Sequence, residues 1–269
     1  MKLLLILLLF QAAGDDLEAL LQQGLRHYSK GELREAIGPW EKGLIAARTQ
    51  GDELFTGSFL GNLGIALAGL KEYDRAQASL EESIRLGEAA DDRQGLKIRL
   101  NSLGSVYLLR ERPDKALPVF RRALELALDL QEQTLEADVL GNLALVYHAI
   151  GNYGQAVTHM RLAVEKSADQ RRSQNAVRLA AMLQDCGDIA GSLAAARATR
   201  TGIEQDSREA ALLESLIAAN SAIAARGEAA LRQARLEGLE RMLARLRKFK
   251  QHGLALEVER QILALRAPD

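Results

Sequence analysis

Four histidines (His27, His148, His159 and His252), one cysteine (Cys186) and three asparagines at recurring places (Asn62, Asn101 and Asn142) are the side chains of this 269-residue chain best suited to chemistry or polar recognition. The histidines lie far apart, and none sits in an HExxH or comparable metal-ligand spacing. A single cysteine forms no internal disulfide, and its context DCGD supplies carboxylates where a reactive thiol needs a cation or a base. We therefore expect Cys186 to be a small buried apolar residue. No glycine-rich phosphate loop follows a strand, and no GxSxG elbow is present. These absences point away from an enzyme, and no catalytic residue, metal site or cofactor is expected. The asparagines point elsewhere: a carboxamide both donates and accepts, so one such side chain can hold a peptide backbone without reading its sequence.

The elements that carry the asparagines repeat. LGNLGIALAGLKEYDRAQASLEESIRL from Leu60, LNSLGSVYLLRERPDKALPVFRRALEL from Leu100 and LGNLALVYHAIGNYGQAVTHMRLAVEK from Leu140 align at a forty-residue period. An eroded copy runs from Leu20 to Leu44, and a fifth, thirty-six residues on, from Arg178 to Arg197. Each copy reads as two helices joined at a turn. The first carries apolar residues at helical spacing, as in Leu100, Leu103, Gly104 and Tyr107. The second carries a small residue (Ala36, Ala76, Ala116, Ala156) and, four places later, a large one (Trp40, Leu80, Phe120, Met160). A Gly or Ala on the first helix opposite that alanine lets the two axes approach closely. The bulky residue is expected to fill the gap between neighbouring hairpins. Pro113 fits the first position of its second helix and Asn152 fits an N-cap.

This pattern resembles the tetratricopeptide repeat. The small, aromatic, alanine, aromatic and alanine positions are filled by Gly104, Tyr107, Ala116, Phe120 and Ala123, and nearly so by Ala144, Tyr147, Ala156, Met160 and Ala163. The long period, with an acidic residue in each connector (Asp52, Asp92, Glu132), is similar to the variant in kinesin light chain and spindle-orientation adaptors. The likeness covers roughly residues 17 to 200, with departures at His27 and Gly43 in the first copy. It implies an all-α, right-handed alpha-alpha superhelix of about five hairpins over residues 15–200, followed by a C-terminal helical segment over 201–269. Hairpins stacked with a small constant rotation put their first helices on the concave wall. First-helix residues outside the packing face then line a groove: Tyr28 in the first copy, Asn62 and Ile65 in the second, Asn101 and Leu108 in the third. Asn142, Leu145 and His148 follow in the fourth. The resemblance implies that Asn62 and Asn142, with Asn101 one place out of register, hold a partner peptide; alternatively they brace adjacent first helices. Chaperone-binding relatives clamp a terminal carboxylate with Lys and Arg, whereas Glu18, Gln22, Asn62, Ile98 and Ser102 stand here, so that clamp is not expected.

The remaining features bound the setting. With 35 basic and 36 acidic residues the chain has no overall pull toward nucleic acid. Residues 1–14, MKLLLILLLFQAAG, hold eight unbroken apolar residues, far too few for a stable membrane span of about 20. They read as a signal peptide, which would place the protein in the periplasm or outside the cell, or else as an apolar helical start packed on the first repeat, in a cytoplasmic protein. Beyond Thr201 we expect helices from Asp206 or Ser207 to Ala225, from Glu228 to Gln251 and, after Gly253, from Leu254 to Leu265, capping the array. Arg226 to Lys250 contains eight Lys or Arg against three Glu, and Leu236, Leu239, Leu243 and Leu246 form a packing seam. The basic residues read as a solvated face or as a surface for an anionic partner. The sequence thus suggests a protein-interaction scaffold. The alternative is a self-associating envelope component whose groove is filled by its own C-terminal helices.

Overall fold

The computed structural model describes residues 17–200 and 207–267, and the only regular secondary structure there is α-helix. Residues 1–14, read above as a signal peptide, lie outside the described residues. The chain divides into two compact units between Leu126 and Ala127. The first holds α1 (17–29), α2 (Leu33–Gln50), α3 (Glu53–Gly69), α4 (Tyr73–Ala89), α5 (Arg93–Leu109) and most of α6 (Pro113–Asp129). The second holds α7 (Gln133–Ala149), α8 (Tyr153–Lys166), α9 (Asp169–Asp185), α10 (Ile189–Arg200), α11 (Arg208–Ala225), α12 (Glu228–Lys248) and α13 (His252–Arg266).

The helix ends follow from local chemistry. One left-handed residue stands in every hairpin turn: Gly31, Lys71, Glu111, Gly151 and Gly187, with φ of 79°, 65°, 55°, 86° and 81°. A second series, Gly51, Asp91 and Gln131, follows the ends of α2, α4 and α6 in the same conformation. The side chains of Asp52, Asp92, Asn152 and Ser207 accept from backbone N–H groups at helix starts, and Pro113 opens α6 as its missing donor predicts.

Within the first unit the small and large positions meet directly. A Cβ added to Gly24 would lie 2.1 Å from the Trp40 indole nitrogen, one on Gly64 would lie 2.6 Å from Leu80, and one on Gly104 would lie 2.7 Å from Phe120. The bulky residue thus sits over the glycine of its own hairpin, where the missing side chain leaves room. Between hairpins, a first-helix position packs on the second helix before it. Phe59 lies over Gly43, and one period later Arg99 lies among Gly57, Gly61, Gly87 and Gly95. The Arg99 side chain is only 7% exposed and is paired with Asp92 at 3.0 Å; burial pushes its pKa down while Asp92 opposes that shift. Exposed ion pairs Glu41–Arg75, Arg48–Glu82 and Glu88–Arg122 join successive second helices, each spanning thirty-four residues. At roughly 0 to 1 kcal/mol apiece they mark register more than they stabilise it.

In the second unit α11 stacks on the α9–α10 hairpin: Leu213, Leu216 and Ile217 pack on Val177, Ala180 and Ala196. It takes the place of a further first helix. The helix after it does not fold back as a second helix would. Leu239 and Leu246 of α12 pack instead on Ala255, Val258 and Ile262 of α13, forming a separate C-terminal arm. The arm turns at Phe249–Gln251 with Lys250 in the left-handed region (φ 56°), so Gly253 lies inside α13 and not at its boundary. Of the expected cap, only α11 lies at the end of the stack.

Candidate functional site

Each first helix leaves one narrow stripe outside its packing faces. In α3, Asn62 and Ile65 are half-buried between fully buried neighbours on either side. In α5, Ser102, Ser105 and Leu108 follow the same spacing, with Asn101 half-buried one place out of register and Ile98 at 49% exposure one turn before. Tyr28 of α1 is 39% exposed, and its ring centroid lies 6.1 Å from that of Trp40. In α7, Asn142 and Leu145 are half-buried in the same manner. The residues expected to line a groove thus occupy accessible stripes, grouped as Tyr28, Asn62, Ile65, Asn101 and Leu108 in the first unit and Asn142 and Leu145 in the second. Adjacent first helices of the second unit are joined beside the stripe by an ion pair, Asp138 with Arg171.

His148, expected on the same stripe as Asn142 and Leu145, is taken up by a polar cluster at the hairpin turn. Its Nε2 lies 2.8 Å from Asp185 Oδ2, and its ring stacks on Tyr153 with centroids 4.9 Å apart. The Tyr153 hydroxyl donates to Asp185 Oδ2 at 3.1 Å. Arg245 of α12 enters this cluster from the arm. Its Nη1 donates to the Tyr153 hydroxyl at 2.9 Å, to the His148 carbonyl at 3.2 Å and to Asp185 Oδ2 at 3.2 Å. Arg241 reaches the other Asp185 oxygen at 2.9 Å and the Asp185 carbonyl at 2.8 Å. The hydrogen bond from His148 and the charge of Arg245 hold the Asp185 carboxyl far below its usual range, against burial. Burial, and then the Asp185 charge, push the Tyr153 phenol well above its own.

Three arginines of the basic stretch of α12, Arg235, Arg241 and Arg245, find acceptors here. Arg235 donates to the Cys186 carbonyl at 3.3 Å, and with the Asp185 and His148 carbonyls this covers the C-terminal ends of α9 and α7. Those ends carry unpaired carbonyls and the negative pole of the helix dipole, so cationic side chains are favoured there. Close approach is enabled by glycine on both sides. A Cβ at Gly238 would lie 2.3 Å from the Cys186 carbonyl carbon, one at Gly187 2.6 Å from the Ala234 oxygen, and one at Gly151 2.8 Å from the Met242 oxygen. Sequence reasoning found the basic residues and missed the dock. The available signal was Gly238, alone in the middle of a helix otherwise built from good helix formers.

The other reactive residues do not assemble. His27 pairs with Glu32 at 2.7 Å, and the His159 ring lies against Tyr147. Cys186 is buried, its Sγ directed to the Leu183 carbonyl at 3.2 Å, and burial raises its pKa, as an apolar role requires. Among the described residues no cluster could hold a metal ion, and no helix is long and apolar enough to cross a membrane.

Stacked helical hairpins, closed by small-against-large contacts and leaving one stripe of each first helix open, define a helical-repeat protein. Residues 55–129 and 99–168 match the tetratricopeptide repeat family. The fold is shared with RapI in its apo form (14% identity, 93% of this chain and 97% of that one, TM-score 0.65). It is also shared with a Rap protein complexed with competence and sporulation factor (14% identity, 93% and 74%, TM-score 0.59). In sequence, a 99-residue stretch is 31% identical to BBSome complex member BBS4 of Bos taurus, covering 37% of this chain and only 17% of that relative.

Proposed function

We propose that the chain is a non-catalytic interaction scaffold that holds an extended or helical segment of a partner protein along the first-helix stripes. The observation that carries this reading is the stripe itself: carboxamide and apolar side chains held half-open between rows that are fully buried. A carboxamide fixes backbone, and Ile65, Leu108 and Leu145 beside it select side chains. The complex of a Rap protein of the same fold with competence and sporulation factor supports the reading. Asn142→Ala combined with Leu145→Asp is expected to abolish co-purification of partners while leaving the helical melting curve in place; unchanged recovery overturns the groove. Export by a leader over residues 1–14 belongs to the same proposal and is tested by N-terminal sequencing of the protein from its native host.

A second reading, self-association through the C-terminal helices, is favoured by a separate observation. The arm has an apolar core of its own and reaches the rest of its unit at the glycine and arginine contacts of the turn edge.

A further inference from the structure

The break between α11 and α12 rests on one residue. Residues 208–225 are helical, Arg226 keeps right-handed helical angles, and helix resumes at Glu228; only Gly227, at φ 85° and ψ −168°, departs. That combination is open essentially to glycine alone. Nothing lies within 4 Å of where a Gly227 side chain would begin, so no close packing at that point calls for a glycine. The flanking sequence, SAIAAR before and EAALRQARLE after, is made largely of helix formers and contains no proline. Rotation at Gly227 alone would join the two helices into one of about 60 Å over residues 208–248. It would also lift the arm from its own turn edge, with the arm's internal core intact.

We propose that the α12–α13 arm is exchanged between two copies of this chain, each straightened at Gly227 and each docking its arm on the other's Gly151–Gly187 edge. The inference rests on the self-association reading above and is independent of the groove. The occupant of the edge is fixed by its build. Gly151 and Gly187 admit the backbone of a helix bearing Gly238, and Asp185 with the carbonyl ends of α7 and α9 accepts Arg235, Arg241 and Arg245. A second copy presents these same groups in the same order. Closed and exchanged forms therefore make identical docking contacts and differ only at the hinge, the condition under which swapping costs little.

Two sets of variants test this by sedimentation velocity over a range of concentrations. Gly227→Ala, whose added methyl meets nothing, favours the straight form about fivefold from helix propensity alone. It is expected to raise the dimer association constant by at least that factor. Separately, Asp185→Arg spoils the edge and Arg241→Asp with Arg245→Asp spoils the arm, each placing like charges together. Each variant alone is expected to be monomeric, and an equimolar mixture to form a one-to-one heterodimer, because each arm then meets a complementary edge on the other chain. All three substitutions in one chain restore the match and control for folding. A dimeric Gly227→Ala protein with no heterodimer in the mixture overturns exchange while leaving self-association standing. Monomers throughout, with the triple variant folded, overturn both.

Discussion

Asp52 and Asp92 stand one period apart and do the same work at the starts of α3 and α5, accepting from Phe55 N and Gly95 N at 2.9 Å each. Only Asp92 also holds a buried cation, with its second oxygen 3.0 Å from Arg99. Losing an N-cap costs about 1 kcal/mol. Removing one partner of a buried ion pair costs about 3 to 5 kcal/mol, because the other charge is left unpaired in a medium that solvates it poorly. Asp92 is 21% exposed, so water reaches the pair and the lower figure applies. Asp52→Ala should therefore cost about 1 kcal/mol and Asp92→Ala about 4 kcal/mol, the cap and the pair together. Chemical denaturation of the full chain, followed by circular dichroism, measures both. Adding Arg99→Met to Asp92→Ala should recover most of the difference, since the stranded charge is gone and the glycine-lined slot accepts an unbranched apolar chain. Equal losses at Asp52 and Asp92, or no recovery with Met, would refute the account of Arg99 as a cation held in place by one carboxylate.

Gly238→Ala opposes two effects: helix propensity favours alanine by about 1 kcal/mol, while overpacking against the Cys186 backbone costs about 1 to 3 kcal/mol. The second should win, and hydrogen exchange in α12 should accelerate; Gly253→Ala, with nothing within 4 Å, should show only the propensity gain of up to about 1 kcal/mol. A stabilised Gly238→Ala protein would mean that the arm does not dock closely. Because the folded-state pKa of Asp185 is depressed, its contribution is complete above the ordinary carboxyl value of about 4 and is lost as pH falls through the folded value. Exchange protection of α12, corrected for intrinsic rates, should thus fail as pH falls well below about 4; Asp185→Asn should lower the protection above that pH and remove the acid loss.

The repeat, its hairpins and the accessible stripe were legible because period, helical spacing and small-against-large pairing are local properties of the string. Pro113, Asn152 and Ser207 announced helix starts for the same reason. The role of Arg99 was not legible: the same position holds Phe59 one period earlier, and only three-dimensional packing shows that glycines on α3, α4 and α5 converge on it. Nor was the arm. Its arginines carried a charge signal without a direction, since half of their acceptors are main-chain carbonyls, which every residue possesses, and the others, Asp185 and Tyr153, lie more than fifty residues away along the chain. His148 was placed by periodicity and then claimed by Asp185, Tyr153 and Arg245, the last ninety-seven residues away along the chain. The helix boundary near Gly253 failed because Lys250 adopts the conformation for which glycine is the usual sign.

The hairpin turns at 71 and 111 bear lysine and glutamate in the same backbone conformation that glycine supplies at 151 and 187. A long side chain at that point occupies the space into which a crossing backbone would have to settle. Berthing of the arm is thereby written into two letters of the sequence. A homologue with a hairpin inserted or deleted should keep its terminal helices moored wherever two successive turns are bare, and lose the mooring where either acquires a side chain.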